Sequence, residues 1–545
     1  MSAPFTQATC VVAVLVFAAI GPAQVDAPAP QPTLMEISRL QLAFWRNLTN
    51  NLGQPCDANG RQSLGDVNGD GLADIVVANH GYWRQMRLLL SQGHGRFRDV
   101  TLTHMPARMT RSQSFRIGDI DGDGDRDIVG STEDASAPQL VRGIAYINDG
   151  TGHFTDQTAA RIPNGAALQG GIFSPYNLAV AMADFDRDGD LDVVMAGPSA
   201  RNDRSFYLMR NDGRGYFTID PNALPPDGGQ YKAYHGGMYE FDADGDGDID
   251  LVCNTWNNTL GYWLNDGTAR FTAVTQTHVH PVPNYTALEV QPGDVDGDGD
   301  MDLATTAGYS RSPVKLYLND GNGHLTEVTG THMPNDTVGS AVVRFGDFDD
   351  DGDLDLINSV GAGSIPPGEE QILLNDGTGH FTFDRSGAIL APHSNGNCLE
   401  ILVGDLDGDG DTDLMIPDLG CCAMPSCRTR YYSNTTRQVA ADAPPTLGSP
   451  WRVTVWATDG AAAILAYGLR ELRTPTPYGD LHLDPAMLLI WPNVLNFGSI
   501  HRQPVDIPIP PLPMLAGLPL YAQALVVDRS GRARFTNLWV ENAIR

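Results

Sequence analysis

The chain has 545 residues and a formal net charge of −31. That length allows more than one domain, and so large an acidic excess repels nucleic acid and anionic lipid and argues against either as a partner. Lysine is limited to Lys232 and Lys315, with arginine carrying the rest of the positive charge; this reads as the codon bias of a GC-rich, bacterial genome and not as a functional signal.

The N-terminus opens on an apolar run, Val11 to Ile20. It is shorter than the roughly 20 residues a membrane-spanning helix needs, and the small residues around Ala23 suit signal peptidase. Residues 1–27 therefore read as a secretory signal, although no Lys or Arg precedes the run. No other segment is apolar enough to span a bilayer, so the mature chain is expected to be soluble, without a membrane span, and secreted or otherwise extracytoplasmic.

From residue 66 onward one nonapeptide, D-x-[DN]-x-D-G-x-x-D, returns seven times at intervals of about 56 residues. Its acidic positions are Asp66, Asn68, Asp70 and Asp74; Asp119, Asp121, Asp123 and Asp127; Asp184, Asp186, Asp188 and Asp192; Asp242, Asp244, Asp246 and Asp250; Asp294, Asp296, Asp298 and Asp302; Asp347, Asp349, Asp351 and Asp355; and Asp405, Asp407, Asp409 and Asp413. Carboxylates at positions 1, 3, 5 and 9 of a tight turn surround one point with hard oxygens, and the carbonyl of position 7 and a water can complete the six to eight that Ca²⁺ prefers. The glycine at position 6 permits the sharp reversal. Without a cation such a turn is poor, since two charges at ~4 Å repel by ~1 kcal/mol in water and ~4 kcal/mol at an effective dielectric near 20. All-oxygen ligands exclude zinc and copper as the expected metal, and Mg²⁺ seldom uses all-protein cages. Up to seven Ca²⁺ ions are expected, and their fourteen positive charges would leave −17 of the −31. An EF-hand is excluded: it needs a Glu at position 12 and flanking helices, whereas strand-like runs such as Ile75-Val76-Val77 follow these loops.

A second signature follows each of most loops: Asn148-Asp149-Gly150, Asn211-Asp212-Gly213, Asn265-Asp266-Gly267, Asn319-Asp320-Gly321 and Asn375-Asp376-Gly377, with Ser91-Gln92-Gly93 in the first repeat and only Tyr431-Tyr432-Ser433-Asn434 in the seventh. Asn-Asp-Gly between β-type runs predicts a hairpin, on the ground that Asn and Gly accept positive φ. Each unit then reads as strand A into the acidic loop, strand B out of it, strand C, the turn, and strand D; in the third repeat these are Leu178 to Ala183, Leu191 to Ala196, Phe206 to Met209 and Tyr216 to Ile219. Four strands in about 56 residues make one propeller blade. The expected fold is all-β: a seven-bladed β-propeller over residues 28–442, then a small C-terminal β-sandwich-like domain over 443–545.

With these loops and turns in view, the stretch from about Gly65 to Asn434 resembles the FG-GAP/VCBS repeat family, whose propellers include the head of integrin α-subunits. The resemblance implies Ca²⁺ at the acidic positions, Asn68 being a tolerable amide substitution. It implies no single function, because the family includes adhesion modules, lectin-like proteins and a few enzymes.

Alternating strand direction puts the A–B acidic loops and the C–D turns on one face, and the B–C loops and D–A connections on the other. The second face is the expected ligand face, with long B–C loops such as Ser131 to Gly143 and Ser359 to Glu370. Its aromatic and histidine candidates are Tyr82, Trp83, Tyr176, Tyr234, His235, Trp256, Tyr285 and Tyr309. Such side chains can stack on sugar rings or anchor a protein, or simply pack between blades. No catalytic motif is present: G-x-S-x-G, H-E-x-x-H and G-x-x-x-x-G-K are all missing. The expected activity is recognition of an extracellular glycan or protein ligand. The alternatives are a polysaccharide-active enzyme such as a lyase, with Tyr234, His235, Tyr285 and Arg344 near the channel, and a structural spacer.

Six cysteines follow Cys10. A short bridge from Cys421 or Cys422 to Cys427 is expected, Cys56 and Cys398 can meet if the ring closes, and Cys253 lies in a strand-like run as a buried thiol. After Ala443-Pro444-Pro445, the runs Trp451 to Trp456, Ala462 to Tyr467, Leu488 to Trp491, Tyr521 to Val527 and Phe535 to Val540 predict an antiparallel β-domain, with Pro504 to Pro513 as an edge segment.

Overall fold

A computed structural model describes residues 34–35, 62–78, 85–93, 97–134, 137–163, 179–196, 206–226, 233–255, 260–281, 289–306, 314–335, 340–349, 351–360, 371–384, 401–406, 411–416, 430–434, 437–441, 445–457, 461–497, 502–527, 531–536, 539–541 and 544. The chain is a β-propeller followed by a two-sheet domain. Its blades, with strands A to D in order, begin with blade 1 at Gln62–Gly65, Asp74–Val77, Arg87–Ser91 and Phe97–Asp99. Blade 2 is Thr110–Gly118, Asp127–Asp134, Ala137–Asn148 and Phe154–Asp156; blade 3 is Val180–Ala183, Asp192–Ala196, Phe206–Arg210 and Thr218–Asp220. Blade 4 is Ala233–Phe241, Asp250–Thr255, Leu260–Asn265 and Phe271–Ala273, and blade 5 is Val290–Gly293, Asp302–Thr305, Lys315–Leu318 and Leu325–Glu327. Blade 6 is Ser340–Gly346, Asp355–Val360, Gln371–Asn375 and Phe381–Phe383. Blade 7 takes Leu402–Gly404, Asp413–Ile416 and Arg430–Asn434 from its own repeat and its outer strand, Leu34–Met35, from the N-terminal side of the chain. That explains why the seventh repeat has no Asn-Asp-Gly turn.

The A strands touch one another in succession, blade 1 to 2 and onward to 7, and blade 7 returns to blade 1, so the ring closes. Apolar side chains between blades hold it. Each junction has its own buried cluster, as where Val76, Leu88 and Met86 of blade 1 meet Phe115, Ile128 and Tyr146 of blade 2, and where Ile75 and Leu89 of blade 1 meet Leu402 and Met415 of blade 7. The B strands Asp74–Val77, Asp250–Thr255, Asp302–Thr305 and Asp413–Ile416 are buried at every residue, because a neighbour covers each face. This is why they read as unbroken apolar runs and not as alternating ones.

Two expectations change. Ser131 to Gly143 is not a long loop: strands B and C of blade 2 continue through it, with Thr132 opposite Arg142 and Glu133 opposite Val141, so only 135–136 separate the strands. The Asn of Asn-Asp-Gly does not adopt positive φ. Among the described residues the non-glycines that do are Arg187 and Ala269, while the hairpin reversal is carried by glycines such as Gly150 at φ 79°. Single helical turns also follow four D strands, at Thr101–His104, Thr158–Arg161, Thr275–His278 and Thr329–His332. The first threonine of each accepts a C-strand amide, for example from Leu88 and Ala145.

In the C-terminal domain, a sheet of Arg437–Ala441, Pro450–Ala457 and Arg502–Pro508 faces a larger one built on Ala462–Gly468 and Leu520–Val527. Val439, Trp451, Val453 and Val455 of the first pack on Ala463, Leu465, Ala524 and Val526 of the second. The proline-rich Arg502–Pro508 is an edge strand, where missing amides are tolerated. A hairpin, Glu471–Thr476 with Gly479–Leu483, carries Arg473 to the acidic loop of blade 1, where its Nη1 donates to the Asp70 carbonyl at 3.1 Å. Arg532 reaches the Asp351 carbonyl in the loop of blade 6.

Candidate functional site

Each acidic loop connects strand A to strand B, and its first aspartate folds the turn. Both oxygens of Asp119 accept backbone amides, from Gly122 and Gly124 at 2.8 and 2.9 Å; Asp66, Asp242 and Asp294 do the same. The fifth aspartate accepts the amide of position 7, as Asp123 does from Asp125 at 3.0 Å. The ninth is fully buried. Asp127 takes the Ile120 amide on one oxygen and the Asn148 amide on the other, and the pattern recurs at Asp74, Asp250, Asp302, Asp355 and Asp413.

The third position is different. Asp121, Asp186, Asp244 and Asp296 each bury Oδ1 without a hydrogen-bond partner, whereas Asp121 Oδ2 meets Arg161 at 2.9 Å and Asp186 Oδ2 meets Arg210. A buried carboxylate oxygen with no donor is costly. One ligand oxygen from each member lies within 4.8 Å of the others in Asp119, Asp121 and Asp127; Asp184, Asp186 and Asp188; Asp242, Asp244 and Asp246; Asp294, Asp296 and Asp302; and Asp347, Asp349 and Asp351. These residues fit a hard divalent cation: all donors are oxygens, they converge, and one in each of four loops lacks any other partner.

Electrostatics point the same way. Burial pushes the carboxyl groups of Asp127, Asp192, Asp250, Asp302 and Asp355 up to about 7 and that of Asp74 to about 6, with nearby loop aspartates adding to the rise. Asp121, Asp244 and Asp296 are also raised, first by burial and then by the next aspartate of the same loop. A cation would offset both causes.

Position 7 of the loop carries a further regularity that the nonapeptide pattern leaves open. It is aspartate in six loops, Asp125, Asp190, Asp248, Asp300, Asp353 and Asp411, and in five of them its carboxylate lies where a Cβ on the Asn-Asp-Gly glycine of the same blade would sit, as Asp125 does over Gly150. Its regularity was legible, but the usual carbonyl role of that position hid it. The turn asparagine, expected as a turn former, serves instead as a bond between blades. Asn211 Nδ2 donates to the Ile120 carbonyl of blade 2 at 2.7 Å and to the Leu191 carbonyl of its own blade at 3.1 Å. Asn148, Asn265, Asn319, Asn375 and Asn434 each reach the preceding blade's loop in the same way. Acidic loops and turns therefore share one face and are bonded across blades. Asn434, although in a glycosylation sequon, is fully buried in this role. At the junction of blades 7 and 1 the place is held by Ser91. A cavity of about 80 Å³ opens there, lined by Ser91, Gly71, Leu72, Ala73, Asp405, Leu406, Arg473 and His482.

Of the expected ligand-face residues, Tyr82, Trp83, Tyr176, Trp256, Tyr285 and Tyr309 lie outside the described residues, as do Asp407 and Asp409 of the seventh loop. Tyr234 and His235 fall on strand A of blade 4. Cys253 is a buried thiol; Cys56, Cys398, Cys421, Cys422 and Cys427 and the N-terminal run are outside the described residues. Near the axis the A strands bring polar groups together. Arg116 of blade 2 pairs with Glu240 of blade 4 at 2.7 Å, and Glu289, 2% exposed, accepts from Tyr239 and lies 3.3 Å from Arg344.

Fold and loops together define an acidic-looped β-propeller with convergent oxygen clusters on one face. FG-GAP-like repeats match residues 66–130, 141–195, 242–305, 294–357 and 362–416. The chain belongs to the FG-GAP-like repeat family. No curated protein matches it in sequence. Among solved structures it is similar to the BP39L lectin from Burkholderia pseudomallei, at 11% identity and a TM-score of 0.41 over 67% of this chain and 94% of that one. It is also similar to Aleuria aurantia lectin in complex with alpha-methyl-L-fucoside, at 9% identity and a TM-score of 0.35 over 60% and 95%.

Proposed function

We propose that the chain is a secreted, calcium-stabilised propeller that recognises an extracellular glycan or protein through the face opposite its acidic loops. The observation that carries the calcium part is the buried, unpartnered Oδ1 of Asp121, Asp186, Asp244 and Asp296. When bound, the ion would supply charge neutralisation and cross-linking of the loop. The first and third aspartates would hold it, together with the fifth in the loops of blades 3, 4 and 6 and with the ninth, Asp127 or Asp302, in the loops of blades 2 and 5. Calcium suits an extracytoplasmic setting, where millimolar concentrations fill sites with dissociation constants of ~10⁻⁴ to 10⁻³ M. Among the described residues no helix is long and apolar enough to cross a membrane. With one face committed to ions and inter-blade bonds, the B–C loops and D–A connections are left for ligand, as is usual for loops on a rigid scaffold.

A second reading, a polysaccharide-active enzyme, is favoured by one cluster: Tyr239, Glu289 and Arg344 meet close to the axis, and a buried glutamate beside a phenol and a guanidinium is a plausible acid–base set. One experiment separates the two. A glycan and polysaccharide array is probed with and without EDTA and scored both for binding and for release of unsaturated sugar products. Binding without turnover supports recognition, turnover abolished by Tyr239→Phe supports the enzyme, and neither outcome on any glycan turns the search to protein ligands.

A further inference from the structure

Of the edges of the two facing sheets in the C-terminal domain, all but one carry the charges or prolines that keep a strand edge from pairing with another chain. Arg502–Pro508 contains Pro504 and Asp506, and Arg437–Ala441 opens on Arg437. On one side of the larger sheet, Ala533–Phe535 and Trp539–Glu541 bring Arg534 and Glu541. The exception is the other side of that sheet. There Leu489–Ile490 pairs with Tyr467 and Ala466, and no described strand pairs with its outer side. No charged residue occurs from Pro485 to Ile500, and the run from Ala486 to Trp491 reads Ala-Met-Leu-Leu-Ile-Trp, without a proline.

This bare edge is anchored from both faces. Trp491 packs on the core between the sheets, Leu488 lies with the cluster under the hairpin, and the Trp491 amide donates to the Leu465 carbonyl at 2.8 Å. Inward and outward bonding alternate along an antiparallel strand, so Leu489 and Trp491 bond inward and the amide and carbonyl of Ile490 face out. The side chains of Met487, Leu489 and Ile490 are 53%, 59% and 40% exposed. Gly468, next along the inner strand, pairs with Tyr521 just after the segment 509–519, whose Leu512, Met514 and Leu518 are exposed as well. Seven of the eleven large apolar side chains exposed among the described residues fall between Leu472 and Leu518. Apolar surface so concentrated marks an interaction site. Its charge says what kind: residues 443–545 hold eight arginines against seven acidic residues, a net +1, so residues 1–442 carry −32. Two copies can meet on the neutral domain without pressing their acidic propellers together.

We propose that Met487–Trp491 is a homodimer interface, where the edges of two copies pair antiparallel about a two-fold axis and join their larger sheets into one. A bilayer does not fit this surface, because lipid cannot satisfy the outward amide and carbonyl of Ile490, whereas a strand can. The strand that fits must itself be neutral, apolar and unpaired on one side, and a second copy of this chain presents one in the direction that two-fold symmetry imposes. Pairing uses up the edge on both copies, so assembly closes at two. Leu489 and Ile490 then gain cross-strand neighbours from the second copy. On the recognition reading above, the dimer carries two ligand faces and binds a multivalent glycan with avidity.

The test is sedimentation equilibrium of the full chain in saturating Ca²⁺ at micromolar concentration, which should give twice the mass of the chain. The variant L489K/I490K puts lysine on the edge, and I490P removes only the outward amide; each should sediment as a monomer with the circular dichroism of the parent. L102K, at a leucine 90% exposed on the propeller, should remain a dimer. In the parent chain, amide exchange over Met487–Trp491 should slow as concentration rises through the monomer–dimer transition, a readout that needs no variant. A parent chain that sediments as a monomer overturns the proposal, and one that then binds phosphatidylcholine vesicles does so in favour of lipid. A dimer that persists in both edge variants, or whose exchange over Met487–Trp491 does not change with concentration, overturns it too. None of these readouts involves a glycan, so their failure is distinct from failure of the recognition reading.

Discussion

Replacing Asn211 by Ala tests whether the ring is held by bonds between blades as well as by its apolar seams. The side chain, 8% exposed, makes four hydrogen bonds: Nδ2 to the Ile120 and Leu191 carbonyls, and Oδ1 from the Asp212 and Gly215 amides at 2.9 Å. Truncation leaves four backbone groups short of a partner, at ~1 kcal/mol each in net terms, so the expected loss is about 3–4 kcal/mol if little water enters. The adjacent Asp212 also makes two bonds, to the Arg214 and Tyr216 amides, but in solvent; Asp212→Ala should cost under about 1 kcal/mol. Asn211→Asp keeps the shape and the two accepting contacts while turning a carboxylate oxygen toward two carbonyls, so it should be at least as damaging as alanine. Urea unfolding in saturating Ca²⁺, followed by tryptophan fluorescence, measures all three. Equal stability of Asn211→Ala and Asp212→Ala, within about 0.5 kcal/mol, would refute the reasoning.

Metal removal has a pH signature. In EDTA the ninth-position carboxylates, raised by burial to about 7 against roughly 3.9 unfolded, bind protons in the fold that the unfolded chain does not. Stability of the metal-free protein should then rise as pH falls from 7 toward 4, whereas the calcium form should lose stability over the same range as its ligands protonate; parallel melting curves in the two buffers would contradict this. Asp296→Ala should remove one calcium by elemental analysis and lower the melting temperature while the circular dichroism of the β-sheet persists. At the ring seam, Ser91→Asn restores the missing amide beside the cavity and should raise stability by about 1 kcal/mol in urea unfolding; a loss of similar size would show that the space is already needed by Arg473 or His482.

The repeat itself made the architecture legible. An aspartate every second residue around a glycine, then β-type runs, leaves little choice but a loop between strands, and all-β blades follow from four such runs per unit. What stayed hidden depends on contacts with residues on other strands or other blades, well away in sequence. Asn148 looked like a turn former because its neighbours are turn formers, yet its amide reaches Val67, a blade away. His104 stacks on His153 of the next blade, and nothing in spacing along one chain pairs them. Asp125 and its counterparts repeat faithfully, but the expectation of a carbonyl at that position masked their side chains. Ser131 to Gly143 reads as a loop because it mixes charge, serine and proline; the partner strand, with Thr110 opposite Asp134, is what keeps it extended.

The seam between blades 7 and 1 gathers two departures from the repeat, and they have one physical sense. A ring made from a linear chain must join its ends somewhere, and loop closure across so many residues is entropically costly. Here the join uses Leu34–Met35 against Ser433 and Asn434 to complete blade 7, while the amide that ties every other described junction is missing at Ser91. The C-terminal domain covers that weakness. Arg473 holds the loop of blade 1 and Arg532 that of blade 6, on either side of blade 7. Both bond to the carbonyl of the fifth loop residue, a main-chain group distinct from the side-chain oxygens of Asp70 and Asp351 that an ion would use. Domain docking and metal loading can then stabilise the same loops without competing for them.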